Sequence, residues 1–198
     1  MQHPLTVAVL AGGKSSRMGV DKSFVRVLGR PLIEDILAQV AGIGAETILI
    51  TNRPDDYRYL GAPLFADVLP DKGALGGIYT ALYHSSQPHT LCLACDMPFV
   101  VYPLLDYLIS LIPTGDAIVP RLAGEAEPFR AIYAHACLGP IRAALEGGKM
   151  RVISFFPGVR VRFVDEPEID HFDPQRLSFF NVNTPEDLEQ ARRLATTQ

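Results

Sequence analysis

The feature that most constrains the fold is an alternation of short apolar runs with stretches of helical periodicity over the first two-thirds of the chain. Such alternation is typical of a parallel sheet with helices packed on its faces. Four strands and three helices are predicted, with the strands at residues 6–11, 47–51, 64–66 and 91–94 and the helices at residues 32–40, 78–83 and 104–112. The sequence therefore predicts an α/β fold with a single Rossmann-like wound sheet, mostly parallel, and helices on both faces.

The last third of the chain is less regular. Two strands, a helix and an edge strand are predicted there, at residues 117–119, 129–133, 138–145 and 159–164 respectively. Near the end, Thr184 is suited to cap a helix that has Pro185 at its first position. With 198 residues, 48% of them hydrophobic, the chain suits one compact unit, so we expect residues 1–198 to form a single domain.

Charge and hydropathy limit the partners of this chain. A net charge of −4 and a pI of about 5.7 give no broad cationic field of the kind that attracts nucleic acid or an anionic membrane. No apolar stretch has the length that spans a bilayer, and the N-terminus lacks the pattern of a signal peptide. We therefore expect a cytoplasmic protein that binds neither nucleic acid nor a membrane.

One pair of cysteines, Cys92 and Cys95, has the CxxC spacing of a redox or metal site. The pair lies in a predicted strand, and residues an odd number apart on a strand point to opposite faces of the sheet. We therefore expect two small buried side chains and no joint site.

A glycine-rich segment, LAGGKSSRMGVDK at residues 10–22, directly follows the first predicted strand. Gly12 and Gly13 allow backbone N–H groups to approach a phosphate closely, and Arg17 and Lys22 add positive charge. The segment is therefore predicted to bind a polyphosphate. The alternative, which a bare pair of glycines would favour, is a tight turn with surface Lys and Arg side chains.

Two familiar phosphate-binding motifs do not fit this segment. A Walker A loop needs a glycine at the position of Ala8, in the middle of the predicted strand, and the GxGxxG spacing of a dinucleotide fingerprint is absent. A generic P-loop NTPase is therefore disfavoured.

Polar side chains follow the later strands of the predicted sheet. Asp96 comes just after the fourth strand, at a carboxyl end, where open α/β sheets bind their ligands. It is the predicted Mg²⁺ ligand, because Mg²⁺ prefers a few carboxylates plus substrate phosphates; alternatively it caps the turn before Pro98. Asp67, after the third strand, could provide a second contact to Mg²⁺ or contact the nucleotide. Asn52, after the second, could bond to base or ribose, or simply form a turn.

Two asparagines near the end of the chain, Asn181 and Asn183, alternate along a predicted strand ending. Both can therefore face the same side and present donors and acceptors to a ligand. On their own they are more typical of a loop than of a binding site. Arg151 could meet a phosphate or remain a surface residue.

The segment at residues 10–22 resembles the signature of nucleotidyltransferases that transfer NMP groups, most closely the molybdenum cofactor guanylyltransferases. The resemblance extends over nearly the whole chain, since GRPL at residue 29, CDMP at residue 95 and NVNTPED at residue 181 follow in the family's order. The segment GALGG at residues 73–77 is expected to be a loop that gives a ligand close access to the backbone. It resembles the family's GPLAG segment but departs from it at Ala74 and Gly76, which weakens any prediction of base selectivity. The resemblance implies a nucleotide-diphospho-sugar transferase-like fold.

The resemblance also implies an activity, in which GMP passes from GTP to the phosphate of molybdenum–molybdopterin with Mg²⁺ as cofactor and pyrophosphate as the other product. The N-terminal part would bind the nucleotide and the C-terminal part the acceptor. Together with the patterns above, it predicts nucleotide-binding residues, acceptor-binding residues and catalytic residues. The predicted nucleotide-binding residues are Leu10, Ala11, Gly12, Gly13, Lys22, Asn52, Asp67 and Asp96. The predicted acceptor-binding residues are Arg151, Asn181 and Asn183. The predicted catalytic residues are Lys22, Arg17 and Asp96, with Asp96 as the metal ligand.

Catalysis would depend on alignment of the two substrates and on neutralisation of phosphate charge, because an acceptor phosphate needs little deprotonation at neutral pH. The alternatives are a related transferase that uses CTP and a noncatalytic nucleotide-binding module. The combination of Lys22, Asp67, Asp96 and the two asparagines argues against the module. Proteins that deliver or receive the cofactor would be transient partners.

Overall fold

A computed structural model describes residues 2–11, 22–27 and 29–196, and for Lys22 only the backbone. Eight strands form one sheet in this part of the chain. They are β1 (His3–Leu10), β2 (Gly44–Ile50), β3 (Leu64–Phe65), β4 (His89–Ala94), β5 (Ala117–Leu122), β6 (Glu125–Ala126), β7 (Arg130–Ala134) and β8 (Val161–Val164). The α-helices are α1 (Leu32–Val40), α2 (Pro54–Tyr57), α3 (Gly73–His84), α4 (Tyr102–Ser110), α5 (Leu138–Glu146), α6 (Glu166–Phe172) and α7 (Pro185–Ala195).

The order of the strands is β3-β2-β1-β4-β7-β5-β6, with β8 paired to β5. β1 is central and runs parallel to both neighbours, so that Val9 lies between Leu49 and Leu93. β7 pairs antiparallel with β4 and β5, and β6 pairs antiparallel with β5. The sheet is therefore mostly parallel, as predicted. Because the chain leaves β1 toward β2 and β3 and then returns to β4 on the other side, the winding reverses between β1 and β4.

Alternation along β1 supplies two separate cores. Val7 and Val9 point to the face covered by α1, α4 and α6, whereas Ala8 points to the face covered by α3 and α5. All three side chains are fully buried. Helices therefore cover both faces of the sheet, which confirms the predicted α/β class.

The CxxC pair behaves as its strand position predicts. Cys92 packs in the core beneath α3 and α5, and Cys95 packs in the opposite core. All three cysteines, including Cys137, are buried and free of disulfides. Burial raises the pKa of the Cys137 thiol to about 12, and it raises the pKa of the Cys92 thiol as well, so both thiols are protonated at neutral pH.

Two expectations about local structure are wrong. The segment Gly73–Gly77, expected to be a loop before a helix at Ile78, already forms the first turns of α3. Buried packing around Leu75 outweighs the low helix propensity of the glycines. Residues 181–183 do not form a strand, because they lie between a 3₁₀ turn at Leu177–Phe179 and α7.

The beginning of α7 follows the sequence prediction. Thr184 is the N-cap, its side-chain oxygen accepts a hydrogen bond from the backbone N–H of Asp187 at 3.1 Å, and Pro185 takes the first helical position. α7 then packs through Ala191 on a third, smaller apolar cluster with Val182 and Phe99. This packing fixes the segment around residue 182 against the turn after β4. No helix within residues 2–11, 22–27 and 29–196 is long and apolar enough to cross a membrane.

Candidate functional site

A cavity of about 1130 Å³ runs along the carboxyl edge of the parallel strands. Its walls come from the ends of β1, β2 and β4, from the first turn of α3, and from the segment before β7. The predicted residues Leu10, Asn52, Asp67, Asp96, Asn181 and Asn183 all line it. The cavity therefore brings together side chains that are separated by more than half of the sequence, at the place where a wound sheet binds its ligands.

At the β2 and β3 end, Asn52 and Asp67 bind each other. The Asn52 amide N–H donates to the Asp67 carboxylate at 2.8 Å, and the Asp67 backbone N–H donates to the Asn52 side-chain oxygen at 2.9 Å. Asn52 is thus more than a turn residue, because it fixes the orientation of the Asp67 carboxylate. The pair presents its remaining polar atoms to the cavity as one unit.

The described end of the glycine-rich segment is anchored close to Asp96. Ser23, which is 2% exposed, accepts a hydrogen bond from the Tyr57 hydroxyl at 3.0 Å and lies 3.3 Å from the Cys95 sulfur. The 3₁₀ turn Lys22–Phe24 is therefore fixed beside the residue that precedes Asp96. Burial raises the pKa of the Tyr57 hydroxyl, which keeps it protonated as the donor.

The N-terminal part of α3 approaches the Leu10 side chain at the end of β1. A Cβ atom at Gly77 would lie 2.8 Å from Leu10 Cδ2. Gly73, Ala74 and Gly77 line the cavity, and Gly73 has a φ of +58°, a conformation that favours glycine. The expected backbone access at this segment is thus provided by a helix end rather than by a loop.

Asp96 lies in the turn after β4, half-buried, and this turn is tied to the C-terminal segment. The Asp96 carbonyl oxygen accepts a hydrogen bond from the Val182 N–H at 2.9 Å, which places Asn181 and Asn183 on either side of the contact. Asn181 donates to the Phe179 carbonyl oxygen at 3.3 Å, and the Asn183 N–H donates to the Asp187 carboxylate at 2.9 Å. The two asparagines therefore share the cavity with Asp96 without being on a strand.

Arg130, which the sequence analysis did not single out, stabilises the Asp96 turn and the segment before Asn181 through buried hydrogen bonds. Its side chain is 2% exposed and donates to the carbonyl oxygens of Met97, Phe99 and Ser178 at 2.7–2.8 Å. Burial lowers the pKa of the guanidinium to about 10, while the carboxylates of Asp173 and Asp96 act in the opposite direction. Arg130 thus joins the Asp96 turn to the segment that leads to Asn181.

Glu127 is a second residue that the sequence analysis missed. It lies in the segment before β7 and lines the cavity with Phe129. Burial raises the pKa of its carboxyl group. A polar residue just before an apolar strand is usually exposed, and only the antiparallel pairing of β7 with β4 shows that the segment with Glu127 runs beside the carboxyl end of β4.

The described cavity wall is rich in acid groups. Asp67, Asp71, Asp96 and Glu127 line it, and Arg53 is the one basic residue among the described lining side chains. Within residues 2–11, 22–27 and 29–196, no cluster of three or more His, Cys, Asp or Glu side chains could hold a metal ion. Asp96 could therefore contribute one carboxylate to a metal whose other ligands come from a substrate.

The remaining predicted residues are not among the described residues that line the cavity. Gly12, Gly13 and Arg17 are outside the described residues, as is the side chain of Lys22. Ala11 is 1% exposed, and its N–H donates to the Ile50 carbonyl oxygen. It therefore stabilises the ends of β1 and β2 and does not line the cavity itself. Arg151 is exposed and does not line the cavity, although its neighbour Met150 does.

Comparison with known proteins places this geometry in a family. Residues 7–160 match the MobA-like NTP transferase domain. The molybdenum cofactor guanylyltransferase of Syntrophotalea carbinolica is 33% identical over 190 residues, which cover 95% of this chain and 90% of that protein.

Solved structures agree with the match. Molybdopterin-guanine dinucleotide biosynthesis protein A from Archaeoglobus fulgidus superposes with a TM-score of 0.85 and 28% identity, over 98% of this chain and 100% of that one. The 2-C-methyl-D-erythritol 4-phosphate cytidylyltransferase from Thermus thermophilus has a TM-score of 0.69 and 19% identity, over 99% and 100% of the two chains, and shares the fold. The chain belongs to the family of MobA-like NTP transferases.

Proposed function

We propose that this protein is a nucleotidyltransferase that transfers GMP from GTP to molybdenum–molybdopterin and forms molybdopterin guanine dinucleotide. A terminal phosphate oxygen of the acceptor attacks the α-phosphorus of GTP, the bond from that phosphorus to the oxygen bridging to the β-phosphate breaks, and pyrophosphate leaves. The observation that carries the proposal is the single cavity in which Asp96 lies between the Asn52–Asp67 pair and Glu127. Its relatives named molybdenum cofactor guanylyltransferase supply the identity of the two substrates.

GTP would occupy the side of the cavity formed by the ends of β1, β2 and β3. The Asn52–Asp67 pair offers donors and acceptors for the base or ribose, and Leu10 with the first turn of α3 gives the nucleotide an apolar and backbone surface. In the proposal, Gly12, Gly13, Arg17 and Lys22 bind the triphosphate. These residues would supply positive charge that the acidic described wall lacks.

Asp96 fits a role as a Mg²⁺ ligand, because it is a hard oxygen donor that faces the cavity between the two sides. When bound there with substrate phosphates, Mg²⁺ would neutralise charge on the triphosphate. The chain's own contribution is to fix the Asp96 turn, through the Val182 N–H and the buried Arg130. A fixed carboxylate needs no reorganisation when the reactants meet.

Molybdopterin would occupy the opposite side, beside Asn181 and Asn183. An acceptor phosphate is already largely deprotonated near neutral pH, since its second pKa is about 6, so the site needs no histidine base. Arg151 is exposed next to Met150, which lines the cavity, and is proposed to contact the acceptor phosphate from outside the cavity wall. One domain over residues 1–198 would thus carry both subsites, and its use of GTP would place the reaction in the cytoplasm.

A product assay tests the function directly. The protein is incubated with Mg²⁺, molybdenum-loaded molybdopterin and each of the four NTPs in turn, and the products are identified by mass spectrometry. We expect attachment of GMP, release of one pyrophosphate per product, and loss of transfer in Asp96→Ala. The control Asp106→Asn alters an aspartate that is 72% exposed outside the cavity and should leave transfer unchanged. Attachment of CMP instead, or hydrolysis of NTP without transfer, would contradict the proposal.

A further inference from the structure

Glu127 differs from the other acidic residues of the cavity in its bonding. Asp67 is paired with Asn52, Asp96 lies within the electrostatic reach of Arg130, and Asp71 is exposed to solvent. The half-buried Glu127 carboxylate has no hydrogen bond and no ion pair with any residue that the structure describes. A partly desolvated carboxylate without donors is unfavourable, and a ligand that brings donors would remove that cost.

The backbone holds Glu127 in place without help from its side chain. Its N–H donates to the Pro120 carbonyl oxygen at 2.9 Å, and its own carbonyl oxygen accepts from the Arg130 N–H at 3.4 Å. Arg130 is opposite Leu93 in the β4–β7 ladder. The chain just before Arg130 therefore runs beside the carboxyl end of β4, where Asp96 lies.

The strand order decides which substrate Glu127 meets. Asn52 follows β2 and Asp67 follows β3, on one side of β4, whereas Glu127 precedes β7 on the other side. If the proposed function holds, GTP occupies the β2 and β3 side, and Glu127 faces the acceptor. Phe129 and Met150 also line the cavity and offer apolar surface to a flat ring.

We propose that the Glu127 carboxylate binds the paired N–H donors of the pterin ring of the acceptor and thereby selects the acceptor. A pterin carries an exocyclic amino group beside a ring N–H, two donors that point the same way as those of a guanidinium group. A carboxylate accepts such a pair with two parallel hydrogen bonds. Glu127 is thus a specificity-determining residue, whereas the chemistry at phosphorus is left to the groups around Asp96.

Glu127→Gln tests the inference, because it keeps the size of the side chain and replaces one accepting oxygen by a donating amide. We expect the KM for molybdopterin to rise about 10- to 100-fold, while the KM for GTP stays within about twofold. Glu125→Gln is the matched control, since Glu125 is exposed, lies two residues away and does not line the cavity. Glu127→Asp, which keeps the charge, should recover part of the acceptor affinity.

A second measurement separates recognition from a merely structural role. Pterin monophosphate and lumazine monophosphate, in which a carbonyl oxygen replaces the amino group, are compared as inhibitors of transfer. The unaltered protein should prefer the pterin, and Glu127→Gln should lose or reverse that preference. Equal inhibition by both compounds in the unaltered protein would overturn the inference.

The remaining outcomes are also decisive. If Glu127→Gln raises the KM for GTP and spares molybdopterin, Glu127 faces the guanine base and the inference is wrong. If neither KM changes, or both change together with a loss of thermal stability, it is wrong as well. An unaltered protein that transfers no GMP would instead overturn the proposed function, so the two failures are distinguishable.

Discussion

The two sides of the cavity differ in how their polar side chains are bonded. On the nucleotide side, Asn52 and Asp67 exchange two hydrogen bonds, and Ser23 is held between Tyr57 and Cys95. On the acceptor side, Glu127 has no partner among the described residues. The Asn52–Asp67 pair is thus bonded before any ligand arrives, whereas Glu127 on the acceptor side leaves hydrogen bonds for the ligand to complete. Substitutions on the two sides should therefore have separable effects.

Arg130 lies beneath the boundary between the two sides, and its removal should have the largest effect. Arg130→Met would leave three carbonyl oxygens and the buried Asp173 without their guanidinium. We expect the free energy of unfolding, measured with urea, to fall by about 3–5 kcal/mol. Arg142→Met is the control, because Arg142 forms an exposed ion pair with Glu146, whose loss should leave the urea midpoint almost unchanged. A small loss for Arg130→Met would show that the Asp96 turn is held by other contacts.

Asp96→Asn should have the next largest effect. It should lower the turnover of the whole reaction, because Asp96 lies between the nucleotide side and the acceptor side of the cavity. The amide keeps the shape of the turn but removes the anionic oxygen proposed to bind Mg²⁺. We expect kcat to fall on the order of 100-fold and the Mg²⁺ requirement to rise. Initial rates across a Mg²⁺ titration measure both quantities. Unchanged rates over that titration would remove Asp96 from the proposed metal site.

The double variant Asn181→Ala/Asn183→Ala should affect the acceptor side alone. It removes two amides that line the cavity and leaves the Asp96–Val182 backbone hydrogen bond in place. We expect the binding free energy of the acceptor to weaken by about 1–3 kcal/mol, seen as a higher KM for molybdopterin. Circular dichroism checks that α7, which begins just after this segment, is intact.

Asp67→Asn should have the smallest effect. The substituted side chain can still bond to Asn52 if one amide turns around, so the loss is confined to the negative charge and one acceptor. We expect the KM for GTP to rise about fivefold, with the KM for molybdopterin unchanged. A larger effect on kcat than on KM would move Asp67 from nucleotide binding to the metal.

The sequence predicted the features that depend on local patterns. β1 and β4 are apolar runs, α1 has a clear apolar stripe, and the cap of α7 depends on Thr184 and its neighbours within one turn. The position of Asp96 also followed locally, since it ends a strand. These features need no knowledge of which strands are neighbours.

The missed features all depend on strand order or on packing. The hydrogen bonds between Asn52 and Asp67 depend on the pairing of β2 with β3. The position of Glu127 beside the carboxyl end of β4 depends on the antiparallel pairing of β7 with β4. Arg130 lies in the predicted strand at residues 129–133, and nothing in the sequence shows that three carbonyl oxygens from distant turns accept hydrogen bonds from it. Gly76 predicts a loop by propensity, yet a Cβ atom there would lie 2.6 Å from Lys72 Cβ, so packing favours glycine at this position within a helix.

Calorimetric titrations on two variants test the two-sided cavity most directly. GTP with Mg²⁺, and separately molybdenum-loaded molybdopterin, are titrated into Asn181→Ala/Asn183→Ala and into Asp67→Asn. The two-sided account predicts that the double variant keeps the Kd for GTP within about twofold and loses about fivefold or more in affinity for molybdopterin, and that Asp67→Asn shows the reverse pattern. If the double variant instead loses affinity for GTP and retains it for molybdopterin, or if both variants weaken both ligands equally, the cavity is not divided at Asp96.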